Sequence, residues 1–360
     1  MALTMPEKRC STHRGAGGPG ALLGALTAAL LLLSSCGGTS SSPTSSSGKP
    51  LQTVSYAIPV WNSWHIAAMV AIGQGFMKRY GVNLQVDLIR SPSEGIPGAV
   101  AGTLDFVGVG PESTYQAQDK GANIKIVAIE DVRNAYQLIV HPNITSVQQL
   151  KGQTFVVNTV GVSLDYITAR VVMSHLGFAP SEYHFINGGP PSTQVAAMIH
   201  GTAQVDVNFY PYTAQLTAAG FKVLLDVAKQ PYYNQAVDMS TLEASPTWYK
   251  EHHSAAVGFM EGLTAAMRYL HDPAHKAAVT RDIAKQEGVS LALAADTYKY
   301  LISTISLVPT SPSVTLTALE NGVKADDLAG FPGMPAPTAT GLAGRYDNSL
   351  VKDAQKALGG

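Results

Sequence analysis

Residues 53–89 read TVSYAIPVWNSWHIAAMVAIGQGFMKRYGVNLQVDLI, and this stretch decides the fold class. Its opening residues are β-prone and apolar up to Pro59, which predicts a buried strand over 53–59. Ser63 is a cap-type residue for a helix over 64–80, and Gly81 supplies a left-handed stop. Ile66, Met69, Val70, Gly73 and Met77 keep the i, i+3, i+4 spacing of one helix face. Residues 82–89 return to strand character, so one βαβ unit is complete.

Working outward, the alternation continues. A helix is expected over 93–102, a strand over 104–109, a helix over 111–120 and a strand over 124–129. It restarts with strands over 153–158, 183–187, 204–209 and 222–227, separated by helices over 163–176, 192–200 and 211–219. Strands alternating with helices imply α/β architecture with parallel sheets. Two helix-to-strand turns echo one another: Ala99 to Gly102 with Asp105 beyond, and Ala197 to Gly201 with Asp206 beyond. Either two similar lobes or chance similarity of such turns explains the echo. After residue 240 helices dominate, over 254–271, 290–304, 315–328 and 348–358, and the Pro-rich run 331–340 should be extended.

The N-terminus reads as an address. Lys8, Arg9 and Arg14 precede an uncharged run, ALLGALTAALLLL at 21–33, whose 13 residues are too few to span a bilayer. Leu33-Ser34-Ser35-Cys36-Gly37 follows and resembles the lipobox of bacterial lipoproteins, in which the Cys becomes the lipid-bearing N-terminus. Residues 1–36 are therefore expected to be a signal peptide with Cys36 as lipidation site. Residues 37–49, with six Ser, three Gly and one Pro, form a flexible tether. Ser46-x-x-Lys49 matches a β-lactamase string but has no helix to hold it. A tether behind a lipid anchor leaves a soluble body near a membrane surface.

Composition narrows the function. The chain has 360 residues, 46% of them apolar and 14% charged, enough for a sizeable core. Lys+Arg total 24 against Asp+Glu 25, and a balanced chain argues against nucleic acid, whose binding rests on charge neutralisation. The two cysteines, Cys10 and Cys36, both precede the body, which leaves it no disulfide, thiolate nucleophile or Cys metal site.

The segments Trp64-His65-Ile-Ala, Ala71 to Val82, Ala99 to Phe106, Gln118 to Val127 and Ser146 to Val156 together resemble a known family. They are similar to periplasmic solute-binding proteins of ABC importers, in the branch that binds sulfonates, taurine, nitrate and the pyrimidine precursor of thiamine. The resemblance implies a two-lobe, periplasmic-binding-protein-like fold of type II, with a ligand cleft between lobes joined by two crossing strands. It places lobe one at 50–137 plus 236–360 and lobe two at 138–235, with crossings near 136–141 and 236–240. It also implies a small-molecule solute, an ABC permease with its ATPase as partners, and a monomer.

In open parallel sheets, ligands sit beyond the carboxyl ends of strands, where helix N-termini present free N–H groups. The turns at those ends supply the candidate ligand-binding residues. They are Trp61, Asn62, Trp64 and His65; Ser91 and Ser93; Gly110, Glu112 and Ser113; Thr159, Gly161, Val162 and Ser163; Gly188 and Gly189; Asn208 and Tyr210. Trp61, Trp64 and Tyr210 are suited to stack on a planar ligand or to pack between lobes. Ser163 is expected to cap its helix and touch ligand. Arg90 is the one arginine at these turns, whereas Glu94, Glu112 and Asp165 lie near them. Those carboxylates favour a zwitterion or a neutral, amine-bearing heteroaromatic over a simple anion.

Catalytic readings are weaker. Gly108-x-Gly110-x-x-Ser113 lacks the third glycine of a dinucleotide turn. In Gly161-Val-Ser163-Leu-Asp165, Asp165 replaces the second glycine of a nucleophile elbow. Adjacent His252 and His253 point about 100° apart on a helix and cannot share a metal. A pyrimidine-precursor synthase of the same fold is implied to need a Cys-rich iron motif, which the body lacks. The expectation is a non-enzymatic binding protein, without cofactor or metal, that closes on its solute at a hinge. A nitrate or bicarbonate binder, or an interaction lipoprotein with a decayed cleft, are the competing readings.

Overall fold

The computed structural model describes residues 51–233 and 240–359. The leader, Cys36 and the tether at 37–49 lie outside the described residues, as does most of the return crossing read at 236–240. Ten strands occur among the described residues: β1 Gln52–Ile58, β2 Val82–Leu88, β3 Phe106–Val109, β4 Lys125–Ile129, β5 Gln137–Val140, β6 Thr154–Val157, β7 His184–Asn187, β8 Val205–Asn208, β9 Lys222–Asp226 and β10 Thr241–Ala244. They form two five-stranded mixed sheets, in the orders β2-β1-β3-β10-β4 and β7-β6-β8-β5-β9.

The two orders are the same pattern. In each sheet the first three strands are parallel, and the fourth, β10 or β5, runs antiparallel to both neighbours. The sequence pattern predicted parallel units throughout and no ladder role for β5 or β10. The strand β5 enters its sheet from the other one through residues 130–136, with no helix among these described residues to return the chain, so it runs the opposite way. The echoed turns end alike, Gly102 at φ +74° and Gly201 at φ +73°, conformations that suit glycine.

The helix expected over 64–80 is broken. A 3-10 turn Ser63–His65 leads into Ile66–Gly73, and Gly75 at φ +70° separates that helix from Phe76–Arg79. The cap is Asn62, whose Oδ1 accepts from the Trp64 N–H at 3.1 Å. Ser63 instead donates its hydroxyl to the Tyr210 carbonyl, 2.5 Å away on the side of the second sheet. The helices Pro246–Glu251 and Lys276–Glu287 had no expectation of their own. Lys276–Glu287 buries only Val279, Thr280, Asp282 and Ile283, a narrow face that periodicity shows weakly. Helices after residue 240 pack mainly on the first sheet, His253–Leu270 lying against Ile66–Gly73 and Ser349–Ala357. The chain after the Pro-rich run reaches the outer edge of β4, where Ile126 bonds Arg345 and Asp347 through the backbone. That contact covers a sheet edge.

Contacts between the two sides include aromatic packing. Trp64, Tyr136 and Phe209 form a triangle with centroid separations of 5.4, 5.5 and 5.6 Å. Tyr210 stacks on Tyr300 at 4.8 Å, and the Tyr300 hydroxyl donates to Asp226 Oδ1 at 2.8 Å. Tyr136 lies in the first crossing, so this packing gathers at the chain's passage between sheets.

Gly258, within the buried stripe of His253–Leu270, sets how closely that helix approaches the first sheet. A Cβ there would stand 2.5 Å from the Tyr80 carbonyl oxygen, a backbone atom that cannot step aside. Helix propensity alone favours alanine over glycine by about 0.5–1 kcal/mol. Gly258→Ala is nevertheless expected to destabilise by about 1–3 kcal/mol through overpacking. Urea denaturation checks the sign, and a stabilised variant would contradict this packing.

Candidate functional site

Between the two sheets lies a cavity of about 370 Å³. Most of the wall comes from strand ends, the turns after them and the starts of helices, the arrangement expected where α/β sheets present their carboxyl ends. From the side of the first sheet come Asn62, Trp64, His65, Ser91, Gly110, Glu112 and Ser113. From the side of the second come Thr159, Val162, Ser163 and Asn208. These eleven are brought together out of turns separated by up to 146 residues in sequence, from Asn62 to Asn208.

Six other candidates do not line the cavity. Tyr210 is turned to Tyr300 rather than to the cavity. Trp61 packs half-buried against the apolar core. Ser93 is exposed and shares a hydrogen bond with Ser91 at 2.7 Å. Gly161, at φ +92°, and Gly189, at φ +68°, shape their turns through the backbone. Gly188 is a close-packing position: a Cβ there would meet Val156 Cγ2 at 2.3 Å and Gln194 Cγ at 2.9 Å. Ser163 lines the cavity but does not cap its helix Leu164–His175. Its hydroxyl closes the preceding turn, donating to the Thr159 carbonyl at 2.8 Å and accepting from the Thr159 N–H at 3.1 Å.

His65 is tightly held in the wall. It is buried, and its Nδ1 lies 3.0 Å from Glu130 Oε2 and 2.8 Å from the Tyr56 hydroxyl. The Tyr56 hydroxyl donates to Glu130 Oε1 at 2.8 Å, and Ser240 donates to Glu130 Oε2 at 3.2 Å. Nδ1 is thus the edge of the ring that faces the carboxylate and the Tyr56 hydroxyl. Gly108 leaves room for this knot, since a Cβ would stand 2.9 Å from the Tyr56 oxygen and 3.1 Å from Glu130 Oε2. Glu130 directly follows the strand β4 and Ser240 directly precedes β10, so both crossings are tied at this point.

Asp165 is equally committed. Its Oδ2 accepts from the Asn158 N–H at 2.5 Å and from Gln194 Nε2 at 3.1 Å, and its Oδ1 accepts from the Tyr166 N–H at 2.9 Å. Burial raises its pKa, while the bonds to Ser163, Asn158, Tyr166 and Gln194 pull it down. Desolvation pushes the Glu112 carboxyl up to about 7. Beneath the wall, burial pushes Asp206 up to about 8 and Glu243 well above the usual carboxylate range. Among the described residues no group of three or more His, Cys, Asp or Glu is placed to hold a metal ion, and no helix is long and apolar enough to cross a membrane.

Sequence reading passed over Tyr56, Glu130, Tyr136, Gln194, Phe209 and Phe331 as site residues. Glu130 carried a signal, a carboxylate directly after the apolar strand Lys125–Ile129. Gln194 sits in the first turn after Pro190-Pro191, a helix start already recognised. Phe331 comes from a segment distant in sequence, and nothing local marks it.

Two lobes of one sheet topology around a cavity built from strand ends define a periplasmic-binding-protein-like fold. The model of the family described as NMT1/THI5 like matches residues 62–277, and the chain belongs to that family. Solved structures share the fold at low identity. The periplasmic nitrate-binding protein NrtA from Synechocystis PCC 6803 is 14% identical, with TM-score 0.69 over 86% of this chain and 89% of its own. The alkanesulfonate-binding protein SsuA from Xanthomonas axonopodis pv. citri, bound to MOPS, is 14% identical, with TM-score 0.61 over 85% and 98%. The desulfurization enzyme DSZB, as a mutant with biphenyl-2-sulfinic acid, is 13% identical, with TM-score 0.61 over 85% and 99%. No curated protein sequence matches the chain.

Asp206 provides a pH test of this acidic region. Its pKa is raised from an ordinary 3.8 to about 8, so its contribution to stability is fully present below the unfolded value and lost as pH rises through about 8. Asp206→Asn stays neutral and removes that loss. The stability of the variant relative to the native chain should therefore rise between about pH 5 and about pH 9 in urea titrations. Parallel pH profiles would show that Asp206 does not titrate this way.

Proposed function

We propose that the protein is the extracytoplasmic solute-binding component of an ABC importer. It captures a small organic nitrogen- or sulfur-containing solute, sulfonate-like or pyrimidine-precursor-like, and hands it unchanged to a membrane permease and its ATPase. The observation that carries this reading is the cavity of about 370 Å³ walled by strand-end turns from both sheets. Capture is by closure: a solute touching both walls binds the closed arrangement better than the open one and shifts the equilibrium toward it. The lobes would divide as residues 50–137 plus 236–360 and 138–235, and the protein would act as a monomer. Cys36 would carry the lipid that holds it at the outer face of the cell membrane.

Family membership and the sulfonate- and nitrate-binding proteins of like fold support a transport role. The likeness to a desulfurization enzyme gives the alternative its content: the cavity would then transform what it holds. Native mass spectrometry of the full chain, freshly purified from its own cell, separates the two. A bound small molecule released with unchanged mass is expected. A chain free of bound solute that shows no thermal shift across a broad solute panel would contradict capture. Conversion of the solute on incubation would contradict the non-enzymatic reading. Cys36→Ser is expected to move the protein from the membrane fraction to the soluble one. Unchanged partitioning would remove the lipid anchor from this proposal.

A further inference from the structure

A second cavity, of about 260 Å³, shares no lining residue with the first. One wall is the helix Leu164–His175, which packs on β8 of the second sheet. The facing wall is the helix Leu316–Ala329. That helix sets Ala318, Leu319 and Val323 against Ile126 and Ile129 of the first sheet, and another face against Leu164–His175. It therefore bridges the two sides of the molecule, and the cavity lies on the second-sheet side of that bridge.

The two helices line the cavity with matching stripes. Val171 and His175 form one i, i+4 pair, and Lys324 and Leu328 form the other, so each pair stands on one helix face. The His175 ring is held in place: its Nδ1 donates to the Val171 carbonyl at 2.9 Å, and its plane stacks on Tyr232 at 3.9 Å and 15°. Leu328 is a large apolar side chain left 44% exposed. Lys324, one turn before it, is exposed and pairs with no carboxylate among the described residues. Glu320 and Asp327 stand about a turn to either side of Lys324, but neither lines the cavity. Among the described residues no carboxylate lines it at all, in contrast to the first cavity with Glu112 and Asp165. A positive charge beside a flat aromatic surface and uncovered apolar area suits an anion with an apolar body. The volume lies just under the roughly 300–1,000 Å³ of pockets for drug-sized ligands, so it suits a single ring.

The two cavities also share elements. Leu164 opens its helix and lines the first cavity, while His175, about 16 Å further along the same helix, lines the second. Leu328 lines the second cavity, and Phe331, just beyond it, lines the first. A ligand that holds the two helices at one cavity bears on wall residues of the other.

We propose that the second cavity binds a small monocarboxylate with a flat apolar body, its charge toward Lys324 and its body between Leu328 and the Tyr232–His175 stack, and that the bound acid is an effector of the first cavity. This goes beyond the solute-capture reading and does not depend on which solute is captured.

The test titrates benzoate and its neutral counterpart benzamide into the full chain by calorimetry. Benzoate is expected to bind about two- to fivefold more tightly, the worth of a partly exposed ion pair. Lys324→Gln should erase that difference, and because Lys324 is exposed the variant should keep the native fold. In amide NMR spectra benzoate should shift the signals of His175 and Leu328, and also those of Leu164 and Phe331, which it does not touch. Both sets of shifts should need more benzoate in Lys324→Gln. Equal affinity for the two probes, a preference that survives Lys324→Gln, or no binding of either probe overturns the site. Shifts confined to the second cavity, or shifts of Leu164 and Phe331 that Lys324→Gln leaves unchanged, overturn the effector role. None of these outcomes bears on solute capture, which native mass spectrometry decides separately.

Discussion

The knot around Glu130 is the constraint on which the rest depends. One carboxylate at the end of β4 holds the Tyr56 hydroxyl, the His65 ring and the Ser240 hydroxyl, all within 3.2 Å. Its backbone N–H also donates to the Ser240 carbonyl at 3.0 Å. The chain leaves the first sheet immediately after Glu130 and re-enters it immediately after Ser240. A buried carboxyl group is tolerated when each of its oxygens has a hydrogen-bond partner, and removing one partner would leave a polar atom unmet in the interior. The same group that binds the two crossings together therefore also orients a buried polar side chain of the cavity wall, His65.

This explains why the two sheets share a topology without sharing obvious sequence. Each has a parallel set built from βα units, then one antiparallel strand delivered by a crossing. The cavity needs both sets of strand ends to face one another, and the crossings supply that geometry. The aromatic triangle of Trp64, Tyr136 and Phe209 fills the passage with large apolar surface. Such rings contribute roughly 0.5–1.5 kcal/mol per pair beyond their burial. Trp64 is thus both a cavity residue and a joint between the walls.

Much of this was legible in sequence. The βα alternation over 53–129 and 153–227 appears at nearly the expected positions because buried parallel strands read as short apolar runs between caps and glycines. Strand-end turns were found because asparagine, serine and glycine mark them. What stayed hidden depends on long-range pairing. β5 and β10 stand outside the strand–helix alternation, and their direction is set by the crossing rather than by any local residue. Asn62 takes the cap expected of Ser63 because the Ser63 hydroxyl finds the Tyr210 carbonyl 147 residues away. Tyr210 turned from the cavity because Tyr300, in a distant helical segment, offers a face to stack on. Gln194 looks like any first-turn polar residue until Gly189 and Asp165 are seen to hold its amide.

The central claim is that two walls close on a solute around this hinge. Small-angle X-ray scattering of the full chain, stripped of bound solute and then titrated with the solute recovered from it, tests that most directly. The account predicts a fall in radius of gyration that saturates with binding, as an open population gives way to a closed one. Scattering curves that stay superimposable from the empty to the saturated protein would contradict it.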